Sequence, residues 1–221
     1  MGVEKVAVIG ATGDEGFGLA CRWAKAGIEI VIGSRAKDRA DDAAARLEGI
    51  ISGAKVSGLE NPDAAAAADV VVVTVPFSGQ ATIYKSIAEH VRDDAVVVDC
   101  TVPVAAAVGA RPTHTLGVWE GSAAQQAAAQ LKNGTLCGAF HTLAAAALND
   151  LEQPLEGDVL VCGPGTGKEV VRALVEAIPE LRYVDAGPLE NARIVEPITA
   201  LLIGINRRYK TDRAGIRITG I

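Results

Sequence analysis

A strand-to-helix turn carrying three spaced glycines begins at residue 10: Val6-Ala7-Val8-Ile9-Gly10-Ala11-Thr12-Gly13-Asp14-Glu15-Gly16. An apolar run precedes it and a helical pattern follows, the context in which G-x-x-G-x-x-G marks a dinucleotide site. Gly10 allows the tight turn, Gly13 lets a pyrophosphate approach the backbone, and Gly16 lets the helix pack close to the strand. Free N–H groups and the helix dipole then favour phosphate.

The rest of the chain extends this beginning into an alternation. Strands are predicted over 3–9, 29–33, 55–57, 70–75 and 95–99, and helices over 15–26, 37–47, 78–90 and, with Asn61 and Pro62 as cap and first residue, up to Ala68. Such alternation predicts a parallel sheet wound by right-handed crossovers. Aromatics make up only 4% of the residues against 49% hydrophobic, so the core must be built from Val, Ile, Leu and Ala, which suits buried parallel strands. The rhythm breaks over 101–117, where Pro103, Gly109, Pro112 and Gly117 predict a long and therefore functional loop. A helix over 119–131, a strand over 136–140, and a strand–helix–strand unit over 158–162, 166–177 and 182–185 follow. The last helix is predicted over 191–208, with Pro197 moving its start to about 196 if it cannot lie inside. A boundary near 148–156 would separate a nucleotide-binding domain, 1–150, from a small C-terminal domain, 151–221.

The second strand ends Ile32-Gly33-Ser34-Arg35, where an NAD site usually places an acidic residue for the ribose hydroxyls. A hydroxyl and a guanidinium here point to NADP, because arginine grips a 2′-phosphate bidentately; Lys37 and Arg39 add positive charge near the same turn. Gly163-Pro164-Gly165-Thr166-Gly167-Lys168 imitates a phosphate-binding loop but has Cys162 and Glu169 where Gly and Ser or Thr are required, so a structural turn is expected there.

Several classes are disfavoured. A net charge of −6 gives no global attraction to nucleic acid or to an anionic membrane. No apolar run reaches the length of a membrane helix, and no targeting signal is expected, because the run 6–9 stops at Gly10. No two of Cys21, Cys100, Cys137 and Cys162 have C-x-x-C spacing. They read as buried reduced thiols of a cytoplasmic protein, with no metal site.

These motifs, with Thr74-Val75-Pro76-Phe77, Val102-Pro103-Val104, Phe140-His141-Thr142, Val161-Cys162-Gly163 and Val184-Asp185-Ala186-Gly187-Pro188-Leu189, resemble the NADPH-dependent reductases of the deazaflavin coenzyme F420, over nearly the whole chain. The resemblance implies a Rossmann-type doubly wound α/β sheet with a small C-terminal α/β domain, commonly a homodimer. It implies that Gly10, Thr12, Gly13 and Gly16 form the cofactor turn, that Thr12, Ser34, Arg35 and Arg39 surround the 2′-phosphate, and that Val75 and Pro76 line the nicotinamide. Val102, Pro103, His141 and Leu189 would fall near the deazaflavin ring. The chain departs from the pattern at Phe77, where an indole is expected, and at Ala105-Ala106-Ala107, where polar and basic residues are expected.

The implied function is hydride transfer between NADP(H) and coenzyme F420, with His141 as the ionisable residue nearest the chemistry or else a packed histidine. Alternatives are an NADPH-dependent reductase of a flavin or of a small carbonyl or imine substrate, and a non-catalytic NADP(H)-binding sensor. The apolar stripe Ile194, Val195, Ile198, Leu201, Leu202 and Ile205 is wide enough to be covered by a partner subunit, or by the chain's own C-terminal domain.

Overall fold

The computed structural model describes residues 2–221. Six strands form one parallel sheet: β1 (Lys5–Ile9), β2 (Glu29–Ser34), β3 (Val56–Glu60), β4 (Val70–Val73), β5 (Val96–Asp99) and β6 (Thr135–Gly138), in the order β3-β2-β1-β4-β5-β6. The chain winds outward from β1 to β3, then returns to the other side of β1, so the order reverses between β1 and β4. Open α/β sheets bind ligands at such a point, beyond the strands' carboxyl ends. Register brings Gly33, Ile9, Val73, Asp99 and Gly138 into one row across five strands, and the residues just past that row form the upper edge of the sheet.

Alternation along the buried strands divides the core into two layers. Val6, Val8, Ile30, Ile32, Val70, Val72, Val96 and Val98 face α1 (Asp14–Lys25) and α2 (Lys37–Ile50). Ala7, Ile9, Val31, Val71, Val73 and Val97 face α3 (Asn61–Ala66), α4 (Phe77–Ile87) and α5 (Ala123–Gln130). Nearly continuous valine and isoleucine runs are what a strand covered on both faces requires.

After α6 (Ala145–Asn149), β7 (Gly157–Val161), α7 (Gly165–Glu176) and β8 (Leu181–Asp185) make a second, two-stranded parallel sheet. An antiparallel bridge between Gly138 and Cys162 joins it to the large sheet. Both core layers run across residue 150: Val159, Val161, Leu174 and Val175 belong to the first, and Leu160, Cys162 and Val195 to the second. The indole N–H of Trp23 donates to the Leu174 carbonyl at 2.9 Å, and Arg22 donates to the Ala147, Leu148 and Asp150 carbonyls. Residue 150 thus marks a change of sheet within a continuous core.

Several boundaries differ from the sequence pattern. The third strand runs on to Glu60, which precedes the helix that Asn61 begins. The helix expected over 119–131 begins at Ala123, because Ser122 caps it by accepting from the Gln125 N–H, and Trp119 stands outside it, 99% exposed. The last helix is divided into α8 (Ala192–Val195) and α9 (Ile198–Tyr209), with Pro197 at the start of α9, where its missing N–H costs nothing. The long segment 101–117 contains one 3-10 turn, Ala105–Val108. All four cysteines are free and buried. Among the described residues no helix is long and apolar enough to cross a membrane.

Candidate functional site

A single cleft of about 1340 Å³ runs along the upper edge of the large sheet. Ordinary small-molecule pockets hold roughly 300–1,000 Å³, so there is room for an extended dinucleotide with a second ring beside it. Gly10, Thr12, Gly13, Ser34, Arg35, Arg39, Val75, Pro76, Val102 and His141 all line it, which brings together six separate parts of the expected site.

The glycine turn shows why its residues are small. Gly10 has φ +100°, a left-handed conformation, and its carbonyl accepts from the Gly13 N–H at 2.9 Å. A Cβ on Gly16 would collide with Thr74 Oγ1 and stand 2.9 Å from the Ala11 Cα, so Gly16 shapes the turn from behind and does not line the cleft. No side chain caps α1, and the first turn of a helix has no backbone partner for its N–H groups, which leaves them free for an anion. Glu15 of that turn is half-buried beside the cleft. Burial first, and the negative charge of Asp99 second, push its carboxyl upward, which weakens its repulsion of a phosphate.

At the other end of the turn, Ser34 closes β2, and Arg35 and Arg39 stand exposed at the rim with no ion-pair partner among the described residues. Lys37, expected to reinforce them, instead pairs with Asp41 at 2.5 Å one helical turn on and lies outside the lining. Asn61 lines the cleft, 4% exposed, and its Oδ1 has no hydrogen-bond partner.

On the β4–β5 side the lining passes to Thr74, Phe77, Cys100 and Thr101, then to Val104, Ala106 and Ala107, and finally to Thr199 and Ile203 of α9. His141 is 4% exposed, and neither ring nitrogen has a partner. Burial draws its pKa down to about 4, so the imidazole is neutral at neutral pH, with one donor and one acceptor free for a ligand. Thr199 Oγ1 donates to the His141 carbonyl at 2.6 Å and ties α9 to that segment. Orphaned buried polar atoms at two separate places in the cleft are what a polar ligand would satisfy.

Besides Gly16, two expected site residues are not in the lining. Pro103 is buried between Val102 and Val104, which are. Leu189 is half-buried and packs against the second core layer, because the 3-10 turn Leu189–Asn191 leads it into that layer and away from the cleft. The imitation phosphate loop is closed by its own chemistry: Lys168 Nζ is 2.6 Å from Asp185, whose carboxylate also accepts from the Gly187 N–H. Glu15, Asp99, Thr199 and Ile203 were not singled out by the sequence pattern, and Asn61 was expected only as a helix cap, a role that its unpartnered Oδ1 does not fill. The one available signal was Asp99, an acid ending a run of valines.

Comparison with known proteins agrees with this geometry. The family model for NADP oxidoreductases dependent on coenzyme F420 matches residues 5–103, the segment that carries the glycine turn, the Ser34-Arg35 pair and the Thr74–Phe77 wall. The chain is 45% identical to the F420-dependent NADP reductase of Methanothermobacter thermautotrophicus over 99% of its own length and 96% of that protein's. It is 41% identical to the F420-dependent NADP reductase of Methanocaldococcus jannaschii, covering 98% and 99%. A crystal structure of a putative F420-dependent NADP reductase from Arthrobacter sp. FB24 has the same fold, with a TM-score of 0.83 at 22% identity, covering 97% of this chain and 99% of that one. Relatives this similar over essentially the full length show that the chain belongs to the F420-dependent NADP reductase family.

Proposed function

We propose that this protein transfers a hydride between NADP(H) and the deazaflavin coenzyme F420 in the cleft above the β1–β4 switch point. The observation that carries the reading is the continuity of that cleft: the phosphate-type turn, the Ser34-Arg35 end of β2 and the buried, unpartnered His141 all open onto one space. Thr12, Ser34, Arg35 and Arg39 hold the adenosine 2′-phosphate, and the uncapped start of α1 holds the pyrophosphate. Val75 and Pro76 support the nicotinamide. Val102, Thr199 and Ile203 face the deazaflavin, and His141 hydrogen-bonds it as a neutral imidazole. The bound rings supply the redox chemistry. The chain's part is to hold them face to face and keep water out, which is mainly a matter of position.

The finer readings are a cytoplasmic homodimer in which residues 151–221 carry the acceptor side and the dimer contact. Supporting the dimer, Ile194 and Leu201 stand 65% and 63% exposed on neighbouring helices that are otherwise packed on the core through Val195 and Leu202. The activity is tested by mixing the protein with NADPH and oxidised deazaflavin and following loss of the deazaflavin's visible band. Turnover with the deazaflavin, and none with a flavin or a cyclic imine, is the expected result. Turnover with one of the latter alone would replace the acceptor. NADPH binding without turnover on any of the three would make the protein a sensor.

A further inference from the structure

Beneath the lining of the cleft, one residue back from Cys100, lies a carboxylate that no cation among the described residues neutralises. Asp99 ends β5 and is fully buried. Its oxygens accept from the Tyr84 hydroxyl at 2.8 Å, from Gln80 Nε2 at 3.1 Å, from the Thr101 N–H at 3.1 Å and from Thr101 Oγ1 at 3.2 Å. Gln80 is itself held by the Ala123 carbonyl and by Gln126. Every one of these donors is neutral. The other titratable groups that bear on Asp99 are Glu15 from α1, Cys100 next in the chain, Glu196 at the break between α8 and α9, and His141, neutral by burial. Among the described residues none brings a positive charge to it. Burial pushes the Asp99 carboxyl up to about 6, while its hydrogen bonds pull the other way, so the group is ionised at neutral pH.

A buried charge without a counter-charge is costly, and folded proteins pair or neutralise such groups. The missing partner is indicated by position. Cys100 and Thr101, the two residues after Asp99, line the cleft on the β4–β5 side. If the adenosine half lies over the Ser34-Arg35 end of β2, a dinucleotide laid along the strand ends must reach this side with its nicotinamide half. The oxidised nicotinamide ring is a cation and the reduced ring is neutral.

We propose that Asp99 supplies the counter-charge to the oxidised nicotinamide, so that the protein holds NADP+ more tightly, relative to NADPH, than a neutral floor would. The inference rests on the reading of the cleft as an NADP(H) site. In the forward reaction the reduced nicotinamide gives up two electrons and one proton together and becomes cationic, and the acceptor ring takes them with one further proton from water. A fixed anion beneath the donor therefore favours reduction of the deazaflavin by NADPH and sets the preferred direction on the protein. Asp99 touches neither ring in this scheme. It acts through the field across the cleft floor, which a low-dielectric surrounding strengthens.

The test measures dissociation constants for NADP+ and NADPH separately, by calorimetry without any acceptor, at pH 5.5 and pH 7.5. In the wild type, NADP+ affinity relative to NADPH should improve several-fold as Asp99 ionises; titration of the 2′-phosphate affects both forms alike and cancels from the ratio. In Asp99→Asn at pH 7.5, NADP+ should bind on the order of tenfold more weakly, with NADPH nearly unchanged. Equal weakening of both forms would reduce Asp99 to a support for the loop after β5 and overturn the inference. Should Asp99→Asn not fold, the pH series decides in wild type, Glu15→Gln and Glu196→Gln: a ratio that shifts in all three supports Asp99, and a flat wild-type ratio, or a shift lost with either glutamine, overturns it. Absence of binding by either form would instead remove the NADP(H) reading itself.

Discussion

Arg35 projects from the end of β2 with no carboxylate to occupy it, so its guanidinium is free to meet a phosphate dianion. Replacing it with alanine removes one charge-assisted contact, and NADP(H) affinity should fall by about 1.5–3 kcal/mol. NAD(H), which lacks the 2′-phosphate, should bind as weakly to the variant as to the wild type. Titration of both cofactors into both proteins checks this, and unchanged NADP(H) affinity would remove Arg35 from the site. Arg35 was legible in the sequence because the glycine turn and the end of the second strand are local signals, each contained in a few consecutive residues. Asn61 and Asp99 were not, because what makes them notable is a missing partner, and partners are set by tertiary packing. Lys37 shows the same limit: its place near the turn was legible, its pairing with Asp41 one turn away was not. Leu189 was carried over by resemblance to the acceptor side, yet its side chain turns into the second core layer.

At the scale of elements, the contact that ties the C-terminal helices to the large sheet is a cap. Glu196, buried at the break between α8 and α9, accepts from the Ala123 and Ala124 N–H groups at 2.9 Å each, at the first turn of α5. Truncation to alanine strands two buried donors, so Glu196→Ala should lower stability by about 2–4 kcal/mol. Desolvation, against those hydrogen bonds, pushes the Glu196 carboxyl up to about 7. A folded-state value above the unfolded one means that the stabilisation is fully present below about pH 4.5 and is lost as pH rises through 7. Melts at pH 5 and pH 8 should therefore show a smaller alkaline loss in Glu196→Gln than in wild type; an identical loss would show that this carboxyl does not titrate in the native protein. The cap was invisible to sequence reasoning, since 72 residues separate Glu196 from Ala124. The strands were legible because both-face burial writes itself as valine and isoleucine runs. Element ends were less so: Ser122 and Pro197 each moved a helix start by a residue-level preference that a periodic pattern smooths over.

For the whole molecule, the exposed Ile194 and Leu201 make an outer face on helices whose inner face is already satisfied. A second copy covering that face predicts a dimer at micromolar concentration by light scattering, and Ile194→Asp with Leu201→Asp should yield a monomer that keeps its NADP(H) affinity. A wild type that scatters as a monomer would leave the face without a partner copy. The stripe was legible as helical periodicity, but which half of it turns inward depended on the second core layer, which draws in Val195 while Leu202 is buried alongside. The hold of Trp23 on Leu174 and of Arg22 on the carbonyls around residue 148 has a mechanical consequence. The last turn of the helix whose tip meets the phosphates is pinned to α6 and α7, so the glycine turn is carried on an element anchored in the core that the two sheets share. A helix held in this way should keep its phosphate-binding tip at a fixed height over the sheet whether or not a ligand lies on it.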